Sequence, residues 1–472
     1  MKKTVLLAGV ILFFTLPLTA QAPVDEGSPA DTDLDWRVGV ASIRITPENP
    51  LWMAGYANRD RPAEGTRHEL FAKALALEDK DGRQALLITA DIRNFPKNIS
   101  DRIRDRLESD HGLTRKQIIL NGSHTHTGPL MYTERNFPYY IDHLTDDHRE
   151  RVIQYSNKLE NELVELAGEA LHAMEPVRIY SGQGFSRFAV NRRNNNESTI
   201  DQVTELAGPV DHSVPVLRVE NGDGALKAVV FGYACHPTTL NDYKWSGDWP
   251  GVASLELEKA NPGATALFFL GAAGDINPIP RRSGPLVEQY GREMAAAVQS
   301  VLDQPMRPLN SSLSMAYSEI DLPFNTPPDK EALVTLAETS DGKERNWAEF
   351  HLDQLEKNGS LPSSYPYPVQ IWNLGDQPIV SLGGELVVDY AISIKRMLGH
   401  HTFVMGYSND VMSYIPSVRI LEEGGYEALR AQYIRALPGT WKPEIEVRIL
   451  DEVLRLAQKT GVPQHVLPIT QN

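Results

Sequence analysis

Residues Asn121 to Leu130 read NGSHTHTGPL. His124 and His126 stand two apart, directly after Ile118-Ile119-Leu120, an apolar run that reads as the end of a buried strand. On extended backbone, residues two apart point to the same side, so this spacing would present both imidazoles to one place. Alone, such a pair is an ordinary polar loop. Four other apolar runs end in the same way. Val229-Val230-Phe231 leads to Cys235-His236-Pro237, and Leu267-Phe268-Phe269-Leu270 leads to Gly274-Asp275-Ile276-Asn277. Ile379-Val380-Ser381-Leu382 leads to Gly383-Gly384-Glu385, and Phe403-Val404-Met405 leads to Ser408-Asn409-Asp410 and on to Tyr414. Ligands of open α/β sheets gather beyond the carboxyl ends of strands, so five polar ends would line one cleft. Two imidazoles with a carboxylate suit zinc and leave a position for water or substrate. Zinc lowers the pKa of bound water from about 15.7 to roughly 7 and polarises a carbonyl, which fits hydrolysis of an amide or ester. Gly271-Ala272-Ala273-Gly274 lacks the Lys-Ser/Thr of a phosphate loop.

The elements that must carry these loops alternate between strands and amphipathic helices. Ala72–Leu77 and Ala85–Thr89 flank the turn Lys80-Asp81-Gly82, and Val214–Val219 and Leu226–Tyr233 flank Asn221-Gly222-Asp223-Gly224; both read as hairpins. Ser100 is placed to cap a helix running to about Ser109. Asp146–His172 is a long helix by its apolar period, with more helices at Val252–Lys259, Leu286–Leu302, Lys330–Lys357, Val387–Leu398 and Glu444–Lys459. Hairpins mixed with crossovers predict an α/β domain with mixed sheets. No internal repeat or clear linker divides it.

The 472 residues carry a net charge of -16, with 41% hydrophobic and 23% charged residues, which is ordinary globular composition. The acidic balance argues against nucleic acid as a partner. Lys2-Lys3, the apolar run Val5–Leu18 and Ala20-Gln21-Ala22 read as a signal peptide over residues 1–22. Residues 23–35 read as a flexible tail. No later stretch is apolar for long enough to cross a membrane. The expectation is an exported protein, periplasmic or secreted. Cys235 is the single cysteine, so there is no internal disulfide. Its neighbour on a strand faces the other way, so Cys235 reads as a small core residue beside His236.

Several of these segments together resemble the neutral ceramidases. His124-Thr125-His126-Thr127-Gly128-Pro129 is similar to the family's THTHSGP, and Gly232–Thr238 (GYACHPT) to its FAVHPTS. Asn191-Arg192 resembles its NRSP loop and Gly384-Glu385 its PGE segment. Ser408-Asn409, Tyr414 and Tyr426 match its SN…Y stretch and the tyrosine beyond it. The resemblance runs in consistent order from about Trp36 to Leu456. It implies an αββα catalytic domain over residues 36–472, two mixed sheets between helical layers. It also implies a zinc-dependent amidase that splits ceramide into sphingosine and fatty acid. Carried over by position, His124, His236, Glu385 and Tyr414 would hold one zinc ion. His126, Arg192 and Tyr426 would face the substrate and the developing oxyanion. Tyr414 enters only through the resemblance; by itself it reads as a half-buried aromatic.

Three departures bear on function. Asn277 stands where the family's GDVSPN loop carries its catalytic serine. An amide cannot be an alkoxide nucleophile, although as an oxyanion donor it is worth about 2.7–4 kcal/mol. The chain also ends soon after its last helix, where ceramidases carry a further immunoglobulin-like domain. In Trp245–Gly251, Asp248 takes the place of the family's SADNxG acid, with capping of the next helix as its other role. Asp91 is expected to orient the metal site, and His400-His401 to be a solvated pair at a helix end. The expected activity is hydrolysis of a small amphiphilic N-acyl substrate, water on zinc attacking the carbonyl, with transient contact with a membrane surface left open. A zinc esterase or deacetylase and a catalytically silent zinc-binding protein are the alternatives.

Overall fold

The computed structural model describes residues 34–472 apart from 57, 133–143, 432–434 and 466–472. The leader and most of the tail lie outside the described residues. Trp36–Arg44 opens a nine-stranded mixed sheet. Eight of its strands run in the spatial order Thr265–Leu270, Leu226–Tyr233, Ser213–Asn221, Glu175–Phe185, Trp36–Arg44, Phe71–Glu78, Gln84–Ala90, Ile118–Gly122. The ninth, Arg307–Pro308, pairs with Glu175–Phe185. Its two outer pairs are parallel and the remainder antiparallel. A second mixed sheet of four strands is ordered Leu313–Pro323, Ser364–Leu374, Gln377–Leu382, Phe403–Met405, its last pair parallel.

Side-chain alternation shows how the layers stack. Along the large sheet, Leu75, Leu77, Leu87, Ile119 and Phe269 face Trp372, Leu374, Ile379 and Phe403 of the small sheet in one buried cluster. Their neighbours Ala74, Ala76, Leu86, Ile88 and Leu120 point the other way, among residues of the helices Lys97–His111 and Asp146–His172. Helices Asp248–Ala260 and Gly284–Leu302 cover the rest of that face. Val388–Leu398 and Ile445–Lys459 cover the small sheet. Strands buried on both faces need continuous apolar runs rather than alternation, which is why the sequence shows runs such as Leu86-Leu87-Ile88. Gly39 allows the long helix to sit directly on its strand: a Cβ there would overlap the Ala170 carbonyl. Mixed sheets between helical layers are the αββα arrangement expected.

Boundaries differ in three places. The first helix begins at Lys97 after Pro96, and Ser100 is buried inside it. Proline tolerates a helix start because it lacks only an N–H that would be unpaired there. Lys330–Lys357 is two helices, Lys330–Thr339 and Gly342–Asn358. Ser340-Asp341-Gly342 breaks it, with Gly342 in the left-handed region at φ 52. The helix after Trp245 starts four residues earlier than its apolar period suggests, at Asp248.

Buried amides lock the strand ends of the two sheets together. Asn121 Oδ1 accepts from the Leu270 N–H at 2.9 Å, and its Nδ2 donates to the Gly406 carbonyl at 2.8 Å. Asn409 Oδ1 accepts from the Leu120 N–H at 3.0 Å, while its Nδ2 donates to Gln370 at 2.9 Å. Each amide satisfies groups that a strand end leaves without a ladder partner. The polar loops emerge at this end.

Candidate metal centre

His124 follows the strand Ile118–Gly122, but its backbone is not extended: φ is 62. The same-side argument for His124 and His126 therefore fails in its premise. A left-handed residue turns the chain, and the two rings meet through that turn, with centroids 5.1 Å apart. His124 is pinned twice. Its N–H donates to the Ile92 carbonyl at 3.0 Å and its Nδ1 to the Arg93 carbonyl at 2.7 Å. His236, beyond Leu226–Tyr233, is fixed likewise by its Nδ1 on the Ala273 carbonyl at 2.5 Å. Both rings therefore carry their proton on Nδ1 and turn an Nε2 lone pair inward.

Those lone pairs converge on Glu385. Its Oε2 lies 3.3 Å from His124 Nε2 and 3.4 Å from His236 Nε2. All three atoms are buried without a hydrogen-bond partner. Three acceptors facing one another repel unless a proton or a cation lies between them. Zinc bound at 2.0–2.1 Å to tetrahedral ligands sets them about 3.3 Å apart, so the spacing fits that ion. Burial pushes the His124 pKa down to about 4, against the pull of Glu385, and lowers His236 too. Burial opposes ionisation of Glu385, and the Arg435 guanidinium on its other oxygen favours it. A neutral imidazole pair with an ionised carboxylate is the form that binds metal.

Glu385 and Tyr414 are paired neighbours on two short parallel strands, Glu385–Leu386 and Tyr414–Ile415. The Tyr414 hydroxyl accepts from Arg192 Nη2 at 3.3 Å. Burial first, then the charge of Glu385, keeps this phenol's pKa well above its ordinary value. Arg192 is clamped by Glu427 Oε1, 2.8 Å from Nη2, and its Nη1 donates to Asn277 Oδ1 at 3.4 Å. Thr238 Oγ1 donates to the same oxygen at 3.4 Å. Two donors on one side fix the sense of the amide, so Nδ2 is the end left for another acceptor. Tyr426 stands 41% exposed at the rim, its ring 5.4 Å from Tyr414. His126 has both ring nitrogens buried and unpartnered, held neutral by burial. One nitrogen from each of His124, His126 and His236 lies within a 4.8 Å group that could hold a metal ion. The eight residues singled out in the sequence thus come to one place.

Other expectations resolve differently. Asp91 accepts from the Phe71 N–H at 3.0 Å, so its carboxylate serves the sheet edge rather than an imidazole. Asp248 Oδ1 accepts from the N–H of the next residue, Trp249, at 2.7 Å, and its Oδ2 from the Leu240 N–H at 2.9 Å, so the carboxylate ties the start of its helix to the loop at Leu240. Cys235 is buried among core residues, and His400 and His401 are exposed. Sequence reasoning missed Arg435, whose Nη2 pairs with Glu385 Oε1, and Arg93, 3.9 Å from the same oxygen. It also missed Tyr407, whose buried ring lies 4.6 Å from His124. The one signal available for Arg435 was general: a buried carboxylate needs a cation.

The sequence is 31% identical over 265 residues to neutral ceramidase 2 of Arabidopsis thaliana, spanning 54% of this chain and 33% of that protein. It is 24% identical over 272 residues to neutral ceramidase B of Dictyostelium discoideum, spanning 53% of this chain and 36% of that one. The matched region is thus about a third of these relatives' length. The fold superposes on the crystal structure of neutral ceramidase from Pseudomonas aeruginosa with a TM-score of 0.71 at 19% identity, covering 93% of this chain and 77% of that one. Glu385 and Tyr414 lie beyond the residues matched by the family. The family described as neutral/alkaline non-lysosomal ceramidase, N-terminal, matches residues 36–297, more than half of the chain, and the chain belongs to it.

Proposed function

We propose that the protein hydrolyses a linear amide, the N-acyl bond of a ceramide or of a related N-acyl substrate, with one zinc ion held by His124, His236, Glu385 and Tyr414. The observation that carries this reading is the convergence of three buried, unpartnered acceptors at 3.3 and 3.4 Å. Zinc, when bound, supplies a Lewis acid for the carbonyl and lowers the pKa of water toward about 7.

The chain's own residues divide the remaining work. Arg435 keeps Glu385 ionised and oriented. Arg192 holds the Tyr414 phenol and fixes Asn277, whose Nδ2 donates to the oxyanion as the carbonyl becomes tetrahedral. Tyr426 donates from the rim. His126, neutral and without a protein partner, takes the proton released by the attacking water and delivers it to the leaving amine. Asn277 cannot form an acyl-enzyme, so attack by water is direct. Export by the leader Lys2–Ala22 is part of the same reading.

The test has two arms. Purified mature protein is analysed for metal beside His236→Ala, with near-stoichiometric zinc expected only in wild type. A short-chain fluorescent ceramide is then assayed with chelator and with zinc restored. Equal zinc in both proteins would remove the site. Zinc-dependent cleavage of an ester but of no amide would redirect the reading to an esterase. Zinc with no turnover of either would leave a silent binding protein.

A further inference from the structure

The cleft in front of Arg192, Asn277 and Tyr426 is about 660 Å³ and polar. Apart from those residues its wall is Arg193, Asn194 to Asn196, Glu197, Ile279, Arg281 and Glu427. Among the described residues, the apolar surface this cleft offers is little more than Ile279 and the Tyr426 ring. Each CH₂ of a lipid chain needs apolar burial to gain about 0.8 kcal/mol, so a long-chain base finds few partners here.

The charges are not balanced around the wall. Arg192 and Arg193 are matched by Glu427 and Glu423. At the opposite corner two arginines share one carboxylate: Glu197 Oε2 is 2.8 Å from Arg281 Nε, and its Oε1 is 3.7 Å from Arg282 Nε. Among the described residues, the two terminal nitrogens of Arg281 have no partner, and its side chain is only 14% exposed. A guanidinium with its fork free and its stem held is built for a planar or tetrahedral oxyanion. This surplus positive charge sits on a chain of net charge -16. Arg281 is four residues from Asn277, so their Cα atoms are at most about 14 Å apart. Both residues line the same cleft, so one substrate can meet them together.

Building on the amide-hydrolase reading, we propose that the amine half of the substrate carries a compact anionic group, and that Arg281 binds it. The substrate class is an N-acylated amino acid or amino sulfonate. Arg281 is a specificity residue and takes no part in the chemical step.

Three probes share one acyl chain: N-octanoylglycine, N-octanoyltaurine and the neutral N-octanoylglycinamide. Binding is measured by calorimetry on the full mature protein, zinc-loaded and chelator-treated, so the result does not depend on turnover. At least one anionic probe should bind tenfold or more tighter than the amide in wild type, the pair showing whether carboxylate or sulfonate is preferred. Arg281→Ala should abolish that preference while leaving the neutral probe unchanged. Arg281→Gln, which keeps a donor for Glu197, gives the same reading if the alanine variant fails to fold. Equal binding of all three probes by wild type, or a preference that survives both variants, overturns the proposal. Zinc-dependent hydrolysis is scored separately, so loss of the amidase reading and loss of the anion site remain distinguishable.

Discussion

Replacing Glu385 by glutamine keeps the shape of the side chain and removes its charge. Glu385 is 2% exposed and its partner Arg435 4%, so the change leaves a buried guanidinium without a counter-ion. Breaking such a pair from one side costs about 3–5 kcal/mol, a large share of the roughly 5–15 kcal/mol that holds a domain folded. The second effect is on the metal. At free zinc about 100 times the dissociation constant, binding adds about 2.7 kcal/mol of stability. Loss of a group that only orients a ligand weakens a metal by up to about 100-fold, so loss of a ligand carboxylate weakens zinc by at least that much and reduces the gain to about 0.4 kcal/mol or less. The double variant Glu385→Gln/Arg435→Met separates the two effects, because a buried uncharged pair no longer needs a counter-ion. It should recover most of the 3–5 kcal/mol and none of the zinc response. Urea unfolding at buffered free zinc, repeated with chelator, reads both quantities, and metal analysis gives occupancy. A Glu385→Gln protein with the full zinc-dependent gain would refute the reasoning, as would a double variant that regains it.

His126→Ala should keep zinc content at the wild-type level while turnover falls about 10²- to 10⁴-fold, the range for loss of a positioned proton carrier. Zinc lost together with activity would make His126 a ligand instead. Asn277→Asp removes the outward N–H donor, and kcat should fall about 10²- to 10³-fold with KM little changed; wild-type kcat in this variant would exclude the amide from the oxyanion site. Burial raises the Asp248 pKa to about 6 from an ordinary 3.8. The folded chain therefore holds this proton where the unfolded chain has released it. Its contribution is present below about pH 4 and is lost as pH rises through 6. About two units correspond to roughly 3 kcal/mol. Asp248→Asn should flatten that part of the stability profile of chelator-treated protein, and an unchanged slope would assign it to other groups.

The elements most legible in the sequence are those whose local pattern and burial agree. Asp146–His172 lies where its period places it, because a helix laid on a sheet needs one apolar stripe. Both hairpins are found because their turns must be polar and tight. Lys330–Lys357 was harder: its period continues across Ser340-Asp341-Gly342, and the break depends on one glycine conformation. At the site, His124, His236 and Glu385 could be suspected because each follows an apolar run. Tyr414 required the family resemblance, since a tyrosine on a short strand reads as core. Arg435 lies 50 positions from Glu385. A contact between residues so far apart has no local pattern to betray it.

The strained backbone around the centre bears on how the site works. Of the non-glycine residues in the left-handed region, His124 belongs to the candidate metal group, Tyr407 packs its ring against it and Asn409 sits where the two sheets join, with φ of 62, 53 and 62. Such conformations cost roughly 1–3 kcal/mol each and persist only where the surroundings over-determine them. Here they do. His124 is fixed at its N–H and its ring to residues 92 and 93. The Tyr407 N–H donates to the Gly384 carbonyl at 3.0 Å, tying it to the segment that presents Glu385. Asn409 is held by the amide pairing that joins the two sheets. His124 and His236 come from loops just beyond strands of the large sheet, and Glu385 and Tyr414 from a short strand pair of their own. A site organised in this way would bind an ion without first ordering the chain, so little affinity would be lost to conformational entropy. It also explains why the acceptors can face one another without a hydrogen bond between them. The two sheets, locked by Asn121 and Asn409, hold Glu385 against the imidazoles in a position that its own electrostatics would relax.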